Sequence, residues 1–223
     1  MNANMRTKLN AIKGLVCAIA AVSAVQAQDS QILYSNTSDP TLGSYAPADN
    51  ETEFGDQVEF FNVTGGGTTV TEFRFEYFSS EATGDAVLRF RANDGELFNG
   101  VASPSTLLYE SPPFNLQADY KTVEVTGLAV VIPDNAFTFT IEFANLGATQ
   151  DVGLLIRNPP ELGTSFDDLW VDNGGDWALK TIPLTTANLA ANIVGIVPEP
   201  GTTTLALMGL GSLLGDGFIR RKK

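Results

Sequence analysis

The segment Val70-Thr71-Glu72-Phe73-Arg74-Phe75-Glu76-Tyr77 decides the fold. Over its second half, aromatic residues occupy every second position and charged residues fill the positions between them. A repeat of two places alternate side chains on opposite faces of a β-strand. We therefore predict a strand that buries Phe73, Phe75 and Tyr77 and turns its charged side chains toward water.

The surrounding sequence repeats this pattern. Residues 137–143 alternate in the same way, with four apolar side chains on one face. Short runs rich in β-branched and aromatic residues, bounded by Gly, Pro, Asn or Asp, occur at 57–62, 86–92, 106–109, 122–125, 152–157 and 177–182. About eight to ten such strands predict an all-β fold, an antiparallel β-sandwich that is jelly-roll-like. We assign residues 28–184 to this domain and 185–196, which are small and polar and then weakly apolar, to a linker.

Composition excludes most enzyme classes. The 223 residues contain no histidine, and the only cysteine is Cys17. Without His or Cys, the domain cannot hold a Ser-His-Asp triad, a Cys-His pair, an ordinary zinc site or a disulfide. A pair of carboxylates could still hydrolyse a glycosidic bond. With so many acidic residues, some pair at a suitable distance is expected by chance and is no sign of catalysis. We therefore predict that the protein is not an enzyme.

The predicted domain and linker are strongly acidic. Residues 28–196 contain 24 acidic and six basic side chains, which give a formal charge of −18. Such a surface repels nucleic acids and anionic lipid headgroups, attracts divalent cations and keeps copies of the protein apart. A nucleic-acid partner is therefore excluded.

The N-terminus has the three parts of a secretory signal peptide. Arg6, Lys8 and Lys13 precede an uncharged apolar run at 14–25, and the small residues of Val25-Gln26-Ala27 follow. This order predicts a signal peptide over 1–27, cleaved between Ala27 and Gln28. The protein is then exported from the cytoplasm.

The C-terminal segment, 197–223, also has three parts. It begins with a four-residue motif, Val197, Pro198, Glu199 and Pro200. The mostly apolar span 201–219 follows, and as a helix it would reach about 28 Å, enough to cross a bilayer. The chain then ends in a basic cluster, Arg220, Arg221, Lys222 and Lys223. Because cations stay on the cytoplasmic side, we predict a precursor tethered to the inner membrane with its domain outside.

These three parts, in this order, resemble the PEP-CTERM sorting tail of Gram-negative bacteria that make exopolysaccharide. The resemblance implies recognition by an exosortase after passage through the secretion machinery. It further implies cleavage near the motif and delivery to the cell surface or the extracellular biofilm matrix. An ordinary membrane anchor has the same topology and differs only in whether the tail is cut. The body, at 73–78, 89–95, 106–114 and 172–180, also resembles a recurring passenger domain of such proteins, which implies no activity.

Two groups of residues are candidates for ligand binding. Asp172, Asn173 and Asp176 place three oxygen ligands in a glycine-containing turn, which suits calcium, and an Asx-rich turn without metal is the alternative. The second group offers aromatic faces on which sugar rings could stack, and packing in the core is the alternative for each. Its members are Trp170, Trp177 and Tyr109.

These features predict an exported protein with a structural or adhesive role. The alternative is a module that binds exopolysaccharide, with calcium as its one candidate cofactor. An exposed strip of aromatic side chains would favour the module, and full burial of Trp170 and Trp177 would favour the scaffold.

Overall fold

The described part of the chain is built from antiparallel β-strands. A computed structural model describes residues 29–37, 45–50, 52–63, 67–181 and 186–198, and no helix occurs among them. In chain order the strands are β1 (Gln31–Ser35), β2 (Tyr45–Pro47), β3 (Thr52–Glu59), β4 (Thr68–Ser79), β5 (Asp85–Arg91), β6 (Leu97–Phe98), β7 (Val101–Ala102), β8 (Leu107–Glu110), β9 (Phe114–Asn115), β10 (Asp119–Ile132), β11 (Ala136–Ala144), β12 (Val152–Leu155), β13 (Thr164–Ser165), β14 (Leu169–Asp172), β15 (Trp177–Lys180) and β16 (Ala191–Ile196). The prediction of an all-β antiparallel fold is confirmed.

Two large sheets contain nearly all of these strands. In the first sheet, β4 pairs with β10 on one side and with β16 and β12 on the other, while β1 lies beyond β16 and β2 beyond β12. The second sheet has the order β15-β14-β3-β11-β5-β8, with β13 also on β3 and β9 also on β5. Strands β6 and β7 pair only with each other among the described residues.

The strand order agrees with the predicted jelly-roll-like topology. Four strands of the first sheet run β1-β16-β4-β10, and four of the second run β3-β11-β5-β8. Chain connections from β3 to β4, from β4 to β5 and from β10 to β11 each pass from one sheet to the other. This division of eight strands between two sheets is the one expected of a jelly roll.

Aromatic side chains fill the space between the two sheets. The ring of Phe73 on β4 lies 4.9 Å, centre to centre, from that of Phe90 on β5 and 5.1 Å from that of Phe139 on β11. Phe73, Phe75 and Tyr77 are all buried, as predicted. Burial of one such side chain contributes about 2 kcal/mol to folding.

The predicted linker is wrong over its second half. Residues 191–196 form β16, which lies between β1 and β4, and Ala191 and Ile193 are fully buried. The small residues suggested a flexible tether, but they are needed because neighbouring strands leave little room for larger side chains. A Cβ atom on Gly195 would lie 2.5 Å from the carbonyl oxygen of Thr69. The domain therefore includes β16, and Ser30–Val197 form one compact unit.

Candidate functional site

The sorting segment begins directly after the last strand of the domain. Val197, which follows β16, packs against the core, and Pro198 is exposed. The signal peptide with its cleavage site Ala27–Gln28, and Glu199, Pro200 and the rest of the tail to 223, lie outside the described residues. Within the described ranges, no helix is long and apolar enough to span a membrane.

The candidate calcium ligands lie in the turn between β14 and β15. Gly174 and Gly175 have φ angles of 78° and 103°, which only glycine adopts readily. The backbone N–H of Gly175 donates to Oδ1 of Asp172 at 2.6 Å, and that of Asn173 donates to the carbonyl oxygen of Asp176 at 3.0 Å. One carboxylate oxygen of Asp172 is thus already bonded to the backbone of its own turn. No cluster of three or more metal-binding side chains occurs in the described residues.

Trp170 on β14 does not offer a face to a sugar. Its neighbours Leu169 and Val171 pack toward the core, so its side chain turns to the outer side of the second sheet. There Phe98, from the β6–β7 hairpin, meets the indole ring edge to face at 6.4 Å, and Trp170 is 0% exposed. Its Nε1 donates to Oε1 of Gln57 at 3.4 Å. The sugar-stacking role predicted for Trp170 is wrong, because the hairpin covers the ring.

Tyr109 on β8 also packs against the protein. Its ring centre lies 5.2 Å from that of Phe90, and the residue is half-buried at the rim of the core. Partial burial raises the pKa of its hydroxyl. Packing therefore accounts for most of its ring surface.

The third predicted aromatic residue, Trp177, lines a cleft of about 640 Å³. Asp172 and Asp176 line the same cleft, so the β14–β15 hairpin brings three of the predicted residues together. Phe98, which is 40% exposed, and Arg91 are among its other lining residues. An aromatic face combined with a few charged groups is typical of sites that bind polar small ligands or sugars. Trp170, Tyr109 and Asn173 are not among its lining residues.

An ion-pair network on the outer face of the second sheet holds Arg91 in place. Nε of Arg91 donates to Oε1 of Glu53 at 2.8 Å, and Arg89 bridges Oε2 of Glu53 at 2.9 Å and Glu142 at 2.6 Å. Burial opposes the ionisation of Glu53, but hydrogen bonds from Arg91 and Thr140, together with the two guanidinium charges, lower its pKa. Arg91 in turn lies over Trp177, with its guanidinium carbon 5.4 Å from the ring centre. The guanidinium of Arg91, which lines the cleft, is therefore held in place by charge-assisted hydrogen bonds.

A second aromatic surface, absent from the sequence-based prediction, lies on the outer face of the first sheet. Tyr45, Phe78 and Tyr120 form it, and we call these three residues the aromatic row. Ring centres are 5.3 Å apart for Tyr45 and Phe78 and 5.0 Å apart for Phe78 and Tyr120. The signal that could have revealed it is Phe78, which directly follows Tyr77 and so must face away from the core.

Comparison with known proteins identifies the tail. Residues 197–223 match the family model of the PEP-CTERM protein-sorting motif, which confirms the resemblance noted from Val197, Pro198, Glu199 and Pro200. Searches of curated proteins and of solved structures found no significant match. The motif implies an exported protein that is made as a membrane-anchored precursor and processed by an exosortase.

Proposed function

We propose that this chain, which carries a PEP-CTERM protein-sorting motif, is a structural or adhesive protein of the cell surface or extracellular matrix. The observation that carries the proposal is the motif at 197–223, which directly follows an acidic β-domain. We further propose a non-enzymatic role. It is supported by the absence of His and Cys from residues 28–196.

The domain has properties that suit a matrix component. Its charge of −18 keeps copies apart and favours solubility. Its jelly-roll-like sandwich carries a continuous aromatic core and an ion-pair network between strands. Such a folded domain suits a protein that the sorting tail directs to the cell surface.

Carbohydrate binding at the cleft is the second candidate function. It is favoured by the half-buried ring of Trp177 and the exposed ring of Phe98, which flank the cleft together with Arg91. Exopolysaccharide would be the ligand, and calcium at Asp172, Asn173 and Asp176 would be its cofactor. The carboxylates and the guanidinium would exchange hydrogen bonds with sugar hydroxyls.

The sorting proposal is tested by following the protein in a host that has an exosortase. The wild-type chain should reach the cell surface or the medium with a lower mass than its precursor. Glu199→Ala should leave the full-length form in the inner membrane, and Glu96→Ala, an exposed acid in the domain, should behave as wild type. Equal surface delivery of the Glu199→Ala chain would refute processing at this motif.

A further inference from the structure

The strand register makes the aromatic row a continuous surface. Tyr120 on β10 lies directly opposite Phe78 on β4, so their rings are neighbours on one face. On the other side of Phe78 stands Gly153 of β12. A Cβ atom there would lie 2.6 Å from Cδ2 of Tyr45, so the missing side chain lets the Tyr45 ring reach Phe78.

The rings are open to solvent and fixed to the sheet. Tyr120 is 42% exposed, and Tyr45 and Phe78 are half-buried, each beside another ring of the row. The hydroxyl of Tyr45 donates to the carboxylate of Asp151, and this hydrogen bond raises the pKa of Tyr45 to about 12. Aromatic side chains held on strands lose little conformational freedom when a ligand covers them.

Polar side chains continue the same face beyond the rings. Along the paired strands the outward residues are Glu76 opposite Thr122 and Arg74 opposite Glu124. Arg74 and Glu124 form a salt bridge at 2.8 Å, and Glu76 pairs with Arg157 at 2.8 Å. An apolar platform thus adjoins hydroxyl, carboxylate and guanidinium groups that can exchange hydrogen bonds with a polyol.

We propose that the aromatic row is a binding face for an uncharged polysaccharide, whose sugar rings stack on Tyr45, Phe78 and Tyr120 while its hydroxyls bond the adjoining polar side chains. The domain's charge of −18 selects against anionic polymers, anionic lipid surfaces and a second copy of the chain. The row and the cleft lie on different sheets. The inference rests on the second candidate function, carbohydrate binding, and adds a further surface for it besides the cleft.

Affinity electrophoresis of the full chain in mild detergent tests this. The probes are three uncharged polysaccharides (dextran, galactomannan and hydroxyethylcellulose) and one anionic polysaccharide, alginate. At least one uncharged polymer should retard the wild type, and alginate should not. Phe78→Ala and Tyr120→Ala should each weaken that binding about three- to tenfold, as expected for a lost stacking contact.

Two matched variants make the outcome specific. Val131→Ala, at an exposed apolar residue of the same strand β10, should bind as wild type. Trp177→Ala removes the ring of the cleft, so it separates binding at the cleft from binding at the aromatic row. A thermal melt of each variant confirms that it is folded.

Four results would overturn the inference, and they differ in what they imply for carbohydrate binding. Loss of binding in Trp177→Ala but not in Tyr120→Ala would move the ligand to the cleft and keep the carbohydrate-binding function. If none of the uncharged polymers retards the protein, both the row and the carbohydrate-binding function are rejected. If alginate retards it most strongly, the row is rejected as a site for uncharged polysaccharide. A dimer that Tyr120→Ala dissociates without sugar would show that the row joins two copies.

Discussion

Replacing Asp56 with Asn is expected to make folding less sensitive to pH and to stabilise the domain above neutral pH. Asp56 lies on β3 with its side chain fully buried. Its Oδ2 accepts hydrogen bonds from Oγ of Ser165 at 2.6 Å and from the backbone N–H of Leu189 at 2.9 Å. Its Oδ1 has no partner, and no salt bridge reaches it within the described residues.

Burial raises the pKa of Asp56 well above its usual range, although the hydrogen bonds from Ser165 and Leu189 oppose the shift. In the unfolded chain an Asp side chain titrates near pH 3.9, so the unfolded state ionises first as the pH rises. The free energy of unfolding therefore falls between that pH and the raised pKa of the folded state. Each unit of difference between the two pKa values lowers stability at higher pH by about 1.4 kcal/mol.

Asn and Ala at position 56 should differ by the hydrogen bond that only Asn can make. Asn keeps an oxygen acceptor for the N–H of Leu189 and carries no charge, so Asp56→Asn should match the wild type at low pH and exceed its stability at pH 8. Ala leaves the buried N–H of Leu189 without an acceptor, so Asp56→Ala should be less stable than Asp56→Asn by about 1–3 kcal/mol at either pH. Ser165 is spared part of that cost, because its hydroxyl also reaches the carbonyl oxygen of Phe166 at 3.2 Å.

Urea unfolding of the wild type and both variants at about pH 3 and at pH 8, on either side of the interval in which the two states differ in charge, measures these effects. The difference between wild type and Asp56→Asn at each pH removes the contribution of other titrating groups. If Asp56→Asn is less stable than the wild type at pH 8 by about 2 kcal/mol or more, the carboxylate is ionised in the folded state. The reasoning from burial would then be wrong.

Three further predictions follow from the second sheet and from β16. Glu53→Gln should lower the free energy of unfolding by about 2 kcal/mol at pH 7. Because the pKa of Glu53 is lowered, that loss should shrink as the pH falls through it, and urea unfolding with Glu96→Gln as control measures both. Trp170→Ala should lower the free energy of unfolding by about 3–5 kcal/mol, while Trp177→Ala should change the thermal midpoint little. Thermal melts compare the two variants, and equal effects would contradict the reasoning from their different burial. A chain ending at residue 185 should fail to fold and one ending at Val197 should fold, as circular dichroism would show; a folded shorter chain would mean that β16 is dispensable.

The strands with strict alternation were predictable because alternate side chains of a strand face the core and the solvent. Residues 70–77 and 137–143 place aromatic side chains on the core side and polar ones outside, and β4 and β11 contain both ranges. β16 was missed because two of its three inward residues, Ala191 and Gly195, are small. Ala191 and Gly195 fit under side chains from neighbouring strands, and no local pattern reports that crowding.

The candidate site was only partly predictable for a similar reason. The turn at Asp172–Asp176 has a local sequence signal, and the structure places Asp172, Asp176 and Trp177 on one cleft. Burial of Trp170 depends on Phe98, 72 residues earlier in the chain, which no short-range pattern links to it. The aromatic row likewise joins three strands that are distant in sequence.

The position of β16 ties the domain's folding to its sorting tail. β16 contributes a central strand to the first sheet, between β1 near the N-terminus and β4, and the sorting motif starts at the next residue. The sheet therefore cannot be completed until residues 191–196 have left the translocation machinery. Val197, the first residue of the motif, packs against the core. We therefore expect the processing enzyme to meet a motif attached directly to a folded domain, with no flexible spacer between β16 and Val197.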